Sequence, residues 1–133
     1  MTDESQDGLV TFSDSADSIV AQAVERVTIR GLGASRGIVT GQVVHINDRN
    51  DARKVKRGNI IVTTMTTPEH IDAMYRAAGV ITSTGGITCH AAVIMRELDK
   101  PSVVGCGRDV LGIKDGTWVT VNGDKGEVIL LPS

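Results

Sequence analysis

The sequence predicts an α/β fold with a mixed-sheet sandwich or barrel-like core and about three helices. Three observations carry this. Six short β-branched runs, around Val43, Ile61, Ile81, Val103, Val119 and Ile129, are interleaved with segments of helical periodicity. The last two runs flank Asn122-Gly123-Asp124-Lys125-Gly126, which reads as a hairpin turn and not as another crossover, so regular βαβ alternation is not expected. A length of 133 residues at 41% hydrophobic content supplies one core and hardly two.

Met1 to Asp14 is rich in Ser, Asp, Thr and Gln and poor in apolar residues, so 1–14 is expected to be a flexible tail. Over 15–28, Ile19, Val20, Ala23, Val24 and Val27 recur at helical spacing behind a cap at Asp17 or Ser18; this short amphipathic helix either packs on the domain or docks a partner. The globular domain is assigned to 29–133. Gly31, Gly33, Gly37 and Gly41 read as strand-entry turns leading to a strand at Gly41–Ile46. A dinucleotide fingerprint fails there, because Arg36 stands where the third glycine is needed.

The basic stretch Arg49–Arg57 reads as a solvated loop, and Asn59–Thr63 as a buried strand. Thr67 and Pro68 open a helix as cap and first residue, with Ile71, Met74 and Tyr75 as its apolar side. Gly79–Thr82 is the next strand, and Ser83–Gly86 is a strand-to-helix turn. The helix that follows carries Ala91, Ala92, Ile94, Met95 and Leu98 until Pro101 forbids its continuation. Pro101–Gly105 and the two hairpin strands complete the chain.

Composition removes several classes of function. A net charge of −2 and only three aromatic residues, Phe12, Tyr75 and Trp118, provide neither a basic stripe nor a stacking platform for nucleic acid. No stretch approaches the ~18 apolar residues of a membrane span, and no charged start with an apolar run is present, so a cytoplasmic location is expected. The two cysteines, Cys89 and Cys106, are too few for a disulfide framework and are expected to be free thiols.

The chemistry concentrates in Gly85-Gly86-Ile87-Thr88-Cys89-His90-Ala91-Ala92. Glycines let a backbone approach phosphate closely, and the unpaired amides of a helix start favour an anion. An imidazole titrates at roughly pH 6.5, so much of it is free-base nucleophile at neutral pH. His90 is therefore the candidate phosphoryl acceptor; the alternative is a histidine bonded to backbone at a helix end. Gly85, Gly86, Thr88 and Cys89 are the candidate phosphate-binding positions. Thr88 has two roles open to it from the residues alone: bonding a phosphoryl oxygen or capping the helix. Arg96 is a secondary candidate, since six positions on is about 240° round a helix. A Cys89–His90 nucleophile pair is disfavoured because adjacent helical residues diverge. Cys89, His90, Cys106 and His70 match no recurring zinc spacing, so no metal is assigned. His45, in a strand, and His70, on a helix surface, read as structural or solvent-facing.

The block from Gly85 to Gly107, together with Ala34-Ser35-Arg36-Gly37, Asp115-Gly116 and Val119-Thr120-Val121, resembles the phosphohistidine swivelling domain of phosphoenolpyruvate-utilising enzymes. Phosphoenolpyruvate synthase, pyruvate phosphate dikinase, enzyme I of the sugar phosphotransferase system and rifampicin phosphotransferases belong to that family. The Thr-Cys-His variant is most similar to the synthase branch. Arg36 in place of a frequent proline, Met95 in place of a small alanine and Asn122 in place of a frequent aspartate are departures that bear on subfamily and partner choice.

The resemblance implies a compact swivelling β/β/α domain and a phosphotransferase component that is incomplete without partners. It implies that His90 shuttles a phosphoryl group between an ATP-grasp nucleotide-binding partner and a TIM-barrel partner that handles phosphoenolpyruvate and pyruvate. It also implies Thr88 as a target of regulatory phosphorylation, where a charge of about −1.5 to −2 would oppose transfer. No Gly-x-x-x-x-Gly-Lys loop is present and a barrel needs about 250 residues, so ATP and Mg2+ are expected in a partner and no cofactor on this chain. Two other readings stay open: a carrier serving a phenol or antibiotic hydroxyl, and a non-catalytic regulatory or binding module of the same fold.

Overall fold

The computed structural model describes residues 26–132. The expected tail and residues 15–25 of the expected first helix lie outside them. The last positions assigned to that helix, Val27 and Thr28, belong instead to a strand, β1 (Val27–Arg30), paired antiparallel with the C-terminal strand. Backbone pairing along an open sheet edge overrides the weak helical spacing of these β-branched residues.

Seven further strands follow: β2 (Leu32–Ser35), β3 (Ile38–His45), β4 (Ile60–Thr63), β5 (Gly79–Thr82), β6 (Ser102–Val104), β7 (Trp118–Asn122) and β8 (Glu127–Leu130). The eight form one sheet in the order β1-β8-β7-β3-β4-β5-β6-β2. The neighbours β3, β4, β5 and β6 run parallel, joined by helical crossovers after β4 and β5, so βαβ alternation does hold through the middle of the chain. Antiparallel pairs flank this core on both sides, and β7–β8 is the expected hairpin. β3 belongs to both regions: Ile38–Gln42 pair with β7, and Val43–His45 with β4.

Two of the expected helices lie among the described residues. α1 (Ile71–Arg76) is entered through a 3-10 turn at Pro68–His70 with Thr67 at the cap position, and α2 spans His90–Glu97. On α1 the buried residues are Ala73 and Met74, while Tyr75 is 60% exposed, a correction to the expected apolar side. None of the helices among the described residues is long and apolar enough to cross a membrane.

Strands β4, β5 and β6 are buried on both faces, and alternation along each divides the core. Ile61, Val80 and Val104 join Met74, Ala91, Ala92 and Met95 under the helices. Ile60, Val62, Ile81 and Val103 point the other way and meet Val119, Val121 and Val128 of the hairpin. The result is a β/β/α arrangement with two apolar interfaces. Each large side chain hidden there contributes about 1.5–3 kcal/mol before chain entropy is counted.

Glycines close the sheet on itself. β1 and β2, at opposite ends of the strand order, are joined directly by Gly31, whose N–H donates to the Gly126 carbonyl at 2.8 Å. A Cβ on Gly33 would lie 2.2 Å from the Gly123 carbonyl oxygen, and one on Gly123 only 1.8 Å from that of Ser35. Gly33 and Gly41 therefore sit inside strands because another backbone passes close, and are not strand-entry turns.

The basic stretch is also more ordered than a solvated loop. Arg49–Lys54 forms a 3-10 helix, with Asp48 accepting the N–H groups of Asn50 and Asp51 and Asp51 accepting those of Asn47 and Asp48. Lys54 pairs with Asp51 at 2.8 Å; its hydrogen bond, followed by the backbone donor of Asn47, lowers the Asp51 carboxyl to about 2.

Candidate functional site

The parallel register of β4 and β5, Thr63 opposite Thr82, sends the two following loops out side by side at the carboxyl end of the sheet. The glycine loop after β5 is held from both sides. Ser83 and Thr84 donate their N–H groups to the carbonyls of Thr63 and Thr64, and Gly105, Cys106 and Gly107 donate theirs to Thr84, Thr82 and Ser83 at 2.9–3.1 Å. The Thr84 hydroxyl adds a bond to the Thr64 carbonyl at 2.8 Å. Gly85 has φ +95°, and a Cβ there would press on Cys89 at 3.0–3.1 Å, so both strain and space demand glycine. Gly86 is different: a Cβ there would meet nothing within 4 Å, so its backbone faces open space.

Cys89, extended at φ −71° and ψ 166°, occupies the cap position of α2 without a side-chain cap bond, and His90 is the first helical residue. The expectation that Thr88 caps the helix is corrected: the helix begins one residue too late for it, and Thr88 is exposed. Val93 N–H donates to the Cys89 carbonyl at 3.0 Å. The amides of His90, Ala91 and Ala92 precede it, the donors that a helix start leaves without intrahelical acceptors. No acidic side chain stands in the first turn to compete for them.

His90 is partly buried, and its Nδ1 lies 2.8 Å from Oγ1 of Thr66, itself 5% exposed. That contact engages one ring nitrogen and leaves Nε2 without a partner among the described residues. Met65, Thr66, Thr84, Gly85, Cys89 and His90 line a cavity of about 160 Å3. Gly86 and Thr88 do not line it. Met65 and Ile87, each 57% exposed, and Val93, 40% exposed, give the surroundings an apolar rim.

Thr66 was not singled out by sequence. It sits among Thr63, Thr64 and Thr67, and only the fold distinguishes the one that reaches a histidine 24 positions away. Arg96 does not share the site: its Nη1 donates to the Ala34 carbonyl at 2.8 Å, tying α2 to β2. His45 is structural, with Nε2 on the Ile113 carbonyl and its N–H on Asp115. His70 is only 7% exposed, which corrects its reading as a helix-surface residue; it sits in the 3-10 entry turn, and Nδ1 accepts the Thr67 N–H at 3.2 Å. Cys89 and Cys106 are free, and burial pushes the Cys106 thiol up to about 11. Among the described residues no three His, Cys, Asp or Glu side chains are grouped to hold a metal ion.

Comparison with known proteins agrees with this architecture. A family model described as "PEP-utilising enzyme, mobile domain" matches residues 55–126. The probable phosphoenolpyruvate synthase of Archaeoglobus fulgidus is 45% identical over 115 residues, 86% of this chain and 15% of that protein. The phosphoenolpyruvate synthase of Pyrococcus furiosus is 46% identical over 122 residues, 90% of this chain and 15% of its own length. The chain thus spans about 15% of the length of these curated relatives. Among solved structures, the solution structure of an Enzyme I protein (nEIt) superposes with a TM-score of 0.53 at 31% identity, over 62% of this chain and 34% of that one. With the family model covering both the glycine loop and the helix that begins at His90, the chain belongs to the PEP-utilising enzymes, as a mobile domain of that family.

Proposed function

We propose that this chain is a phosphoryl carrier that accepts the group on His90 Nε2 and passes it on. The observation that carries the reading is the His90 ring itself, with Nδ1 held by Thr66, Nε2 open, and the first amides of α2 beside it. In the attacking ring the proton sits on Nδ1 and is donated to Thr66 Oγ1, leaving the Nε2 lone pair for phosphorus. The new P–N bond forms as the donor's P–O bond breaks, and that electron pair leaves on the donor oxygen. Transfer onward is the reverse, with an acceptor oxygen displacing Nε2. The glycine backbone and the helix-start amides stabilise the phosphoryl oxygens in both directions.

The relatives named phosphoenolpyruvate synthase favour ATP-derived phosphate as the input and a pyruvate-type acceptor as the output. In this reading an ATP-grasp partner holds ATP and Mg2+, and a TIM-barrel partner holds phosphoenolpyruvate or pyruvate. The exposed apolar rim of Met65, Ile87 and Val93 is the surface each would meet in turn. The test is incubation with phosphoenolpyruvate or ATP and the candidate partners, followed by mass spectrometry under alkaline conditions that preserve phosphohistidine. The expected adduct lies on His90 and is lost in His90→Ala. Label retained by that variant refutes the assignment.

A further inference from the structure

We propose that His70 is a positioning residue for His90, acting through the turn Met65–His70. The two histidines are gripped by consecutive residues: Thr66 Oγ1 meets His90 Nδ1 at 2.8 Å, and Thr67 N–H donates to His70 Nδ1 at 3.2 Å. The backbone N–H of His70 returns to the Thr67 carbonyl at 2.9 Å, so His70 engages both polar backbone groups of Thr67. At the other end of the turn, the Thr63 hydroxyl donates its one proton to the Ile46 carbonyl at 2.7 Å, with the Met65 carbonyl as the longer arm of a shared bond at 3.2 Å. Thr66 is thereby fixed from both sides.

Thr66 and His70 are well buried, at 5% and 7% exposed, but packing is not continuous around the turn. A cavity of about 260 Å3, lined by Asn47, Asp48, Thr64, Thr67 and His70 among others, lies against the turn, so the turn does not rest on a close-packed wall. A 93%-buried imidazole in that setting acts through hydrogen bonding: without its Nδ1, the Thr67 N–H loses its acceptor and the turn can rotate Thr66 away from His90. Because Nδ1 accepts, the His70 ring carries its proton on Nε2. The functional consequence rests on His90 being the carrier; the geometric one does not.

The test uses the whole chain with 15N-labelled histidine. It compares wild type with His70→Asn, whose amide oxygen replaces Nδ1 as acceptor, and with His70→Gln and His70→Leu, which place no acceptor there. Val110→Ala, in the opposite core, controls for general loss of stability. The readouts are the ring 15N shifts of His90 and the rate of phosphoryl uptake from phosphoramidate. Wild type, His70→Asn and Val110→Ala are expected to share one His90 ring signature. In the Gln and Leu variants the signature moves toward unconstrained imidazole and uptake slows by about three- to tenfold, the equivalent of one neutral hydrogen bond. An unchanged ring in Gln and Leu, an Asn variant that behaves like them, or a Val110→Ala variant that reproduces their shifts overturns the proposal. Absence of a His90 adduct in wild type with ATP or phosphoenolpyruvate and the candidate partners, with the ring signatures still divided as described, sinks the carrier reading and leaves the positioning role standing.

Discussion

Thr66→Val removes one hydroxyl from beside the His90 ring and almost nothing else. Valine matches threonine in shape, and the site is 5% exposed, so packing is retained. What disappears is the 2.8 Å contact to Nδ1. In the resting ring this is a neutral hydrogen bond of about 0.5–1.5 kcal/mol. In the proposed transfer, bonding of Nε2 to phosphorus gives the ring positive charge, and the Nδ1 bond becomes charge-assisted, about 1.5–3 kcal/mol. The part realised only on the way to the transition state is about 1–1.5 kcal/mol, equivalent to a rate loss of roughly tenfold. Stability should fall by about 1 kcal/mol or less, a melting shift of a few degrees. Formation of phosphohistidine from phosphoramidate, followed by 31P NMR at mildly alkaline pH, measures the rate without any partner. Thr66→Ser, which keeps the oxygen, should stay near wild type. A valine variant that is folded and accepts phosphate at the wild-type rate, or a serine variant as slow as valine, would refute the role given to this contact.

Arg96→Ala should lower stability by about 1 kcal/mol, through loss of the bond to the Ala34 carbonyl, while phosphoryl uptake by His90 changes less than twofold; paired melting curves and uptake rates separate these effects. Gly123→Ala forces a Cβ to within 1.8 Å of the Ser35 carbonyl oxygen and should destabilise by more than about 3 kcal/mol, read as a drop in urea midpoint, whereas the same change at Gly86, with open space around it, should be nearly silent. Asp51 has its carboxyl at about 2, below the usual 3.8, so its stabilising contribution is complete above pH 3.8 and lost as pH falls toward 2. Asp51→Asn should flatten acid unfolding in that window and leave the slope of stability with pH between 5 and 8 unchanged; an unchanged acid limb contradicts the assignment.

Much of the site was legible because its parts are close in sequence. Gly85 and Gly86 after an apolar strand, and Ala91, Ala92 and Met95 after His90, report a strand-to-helix turn through interactions a few residues long. The hairpin at Gly123–Gly126 was legible for the same reason. The strands β1 and β2 were not: Val27–Arg30 has its partner at Glu127–Leu130, and nothing local marks that pairing. His70 looked like a surface residue of a helix because periodicity cannot see the turn that buries it.

By itself, then, the sequence determined that a histidine opens a helix with one buried face behind a glycine turn, since backbone freedom and apolar periodicity act over a few turns of chain. Only the tertiary structure decided which threonine meets that histidine, where Arg96 goes and why Gly33 and Gly123 bear no side chain. Those contacts follow from the parallel register that sets Thr63 beside Thr82 and from the closure that brings β2 against the hairpin. Both are long-range pairings, whose energy depends on the whole core assembling at once.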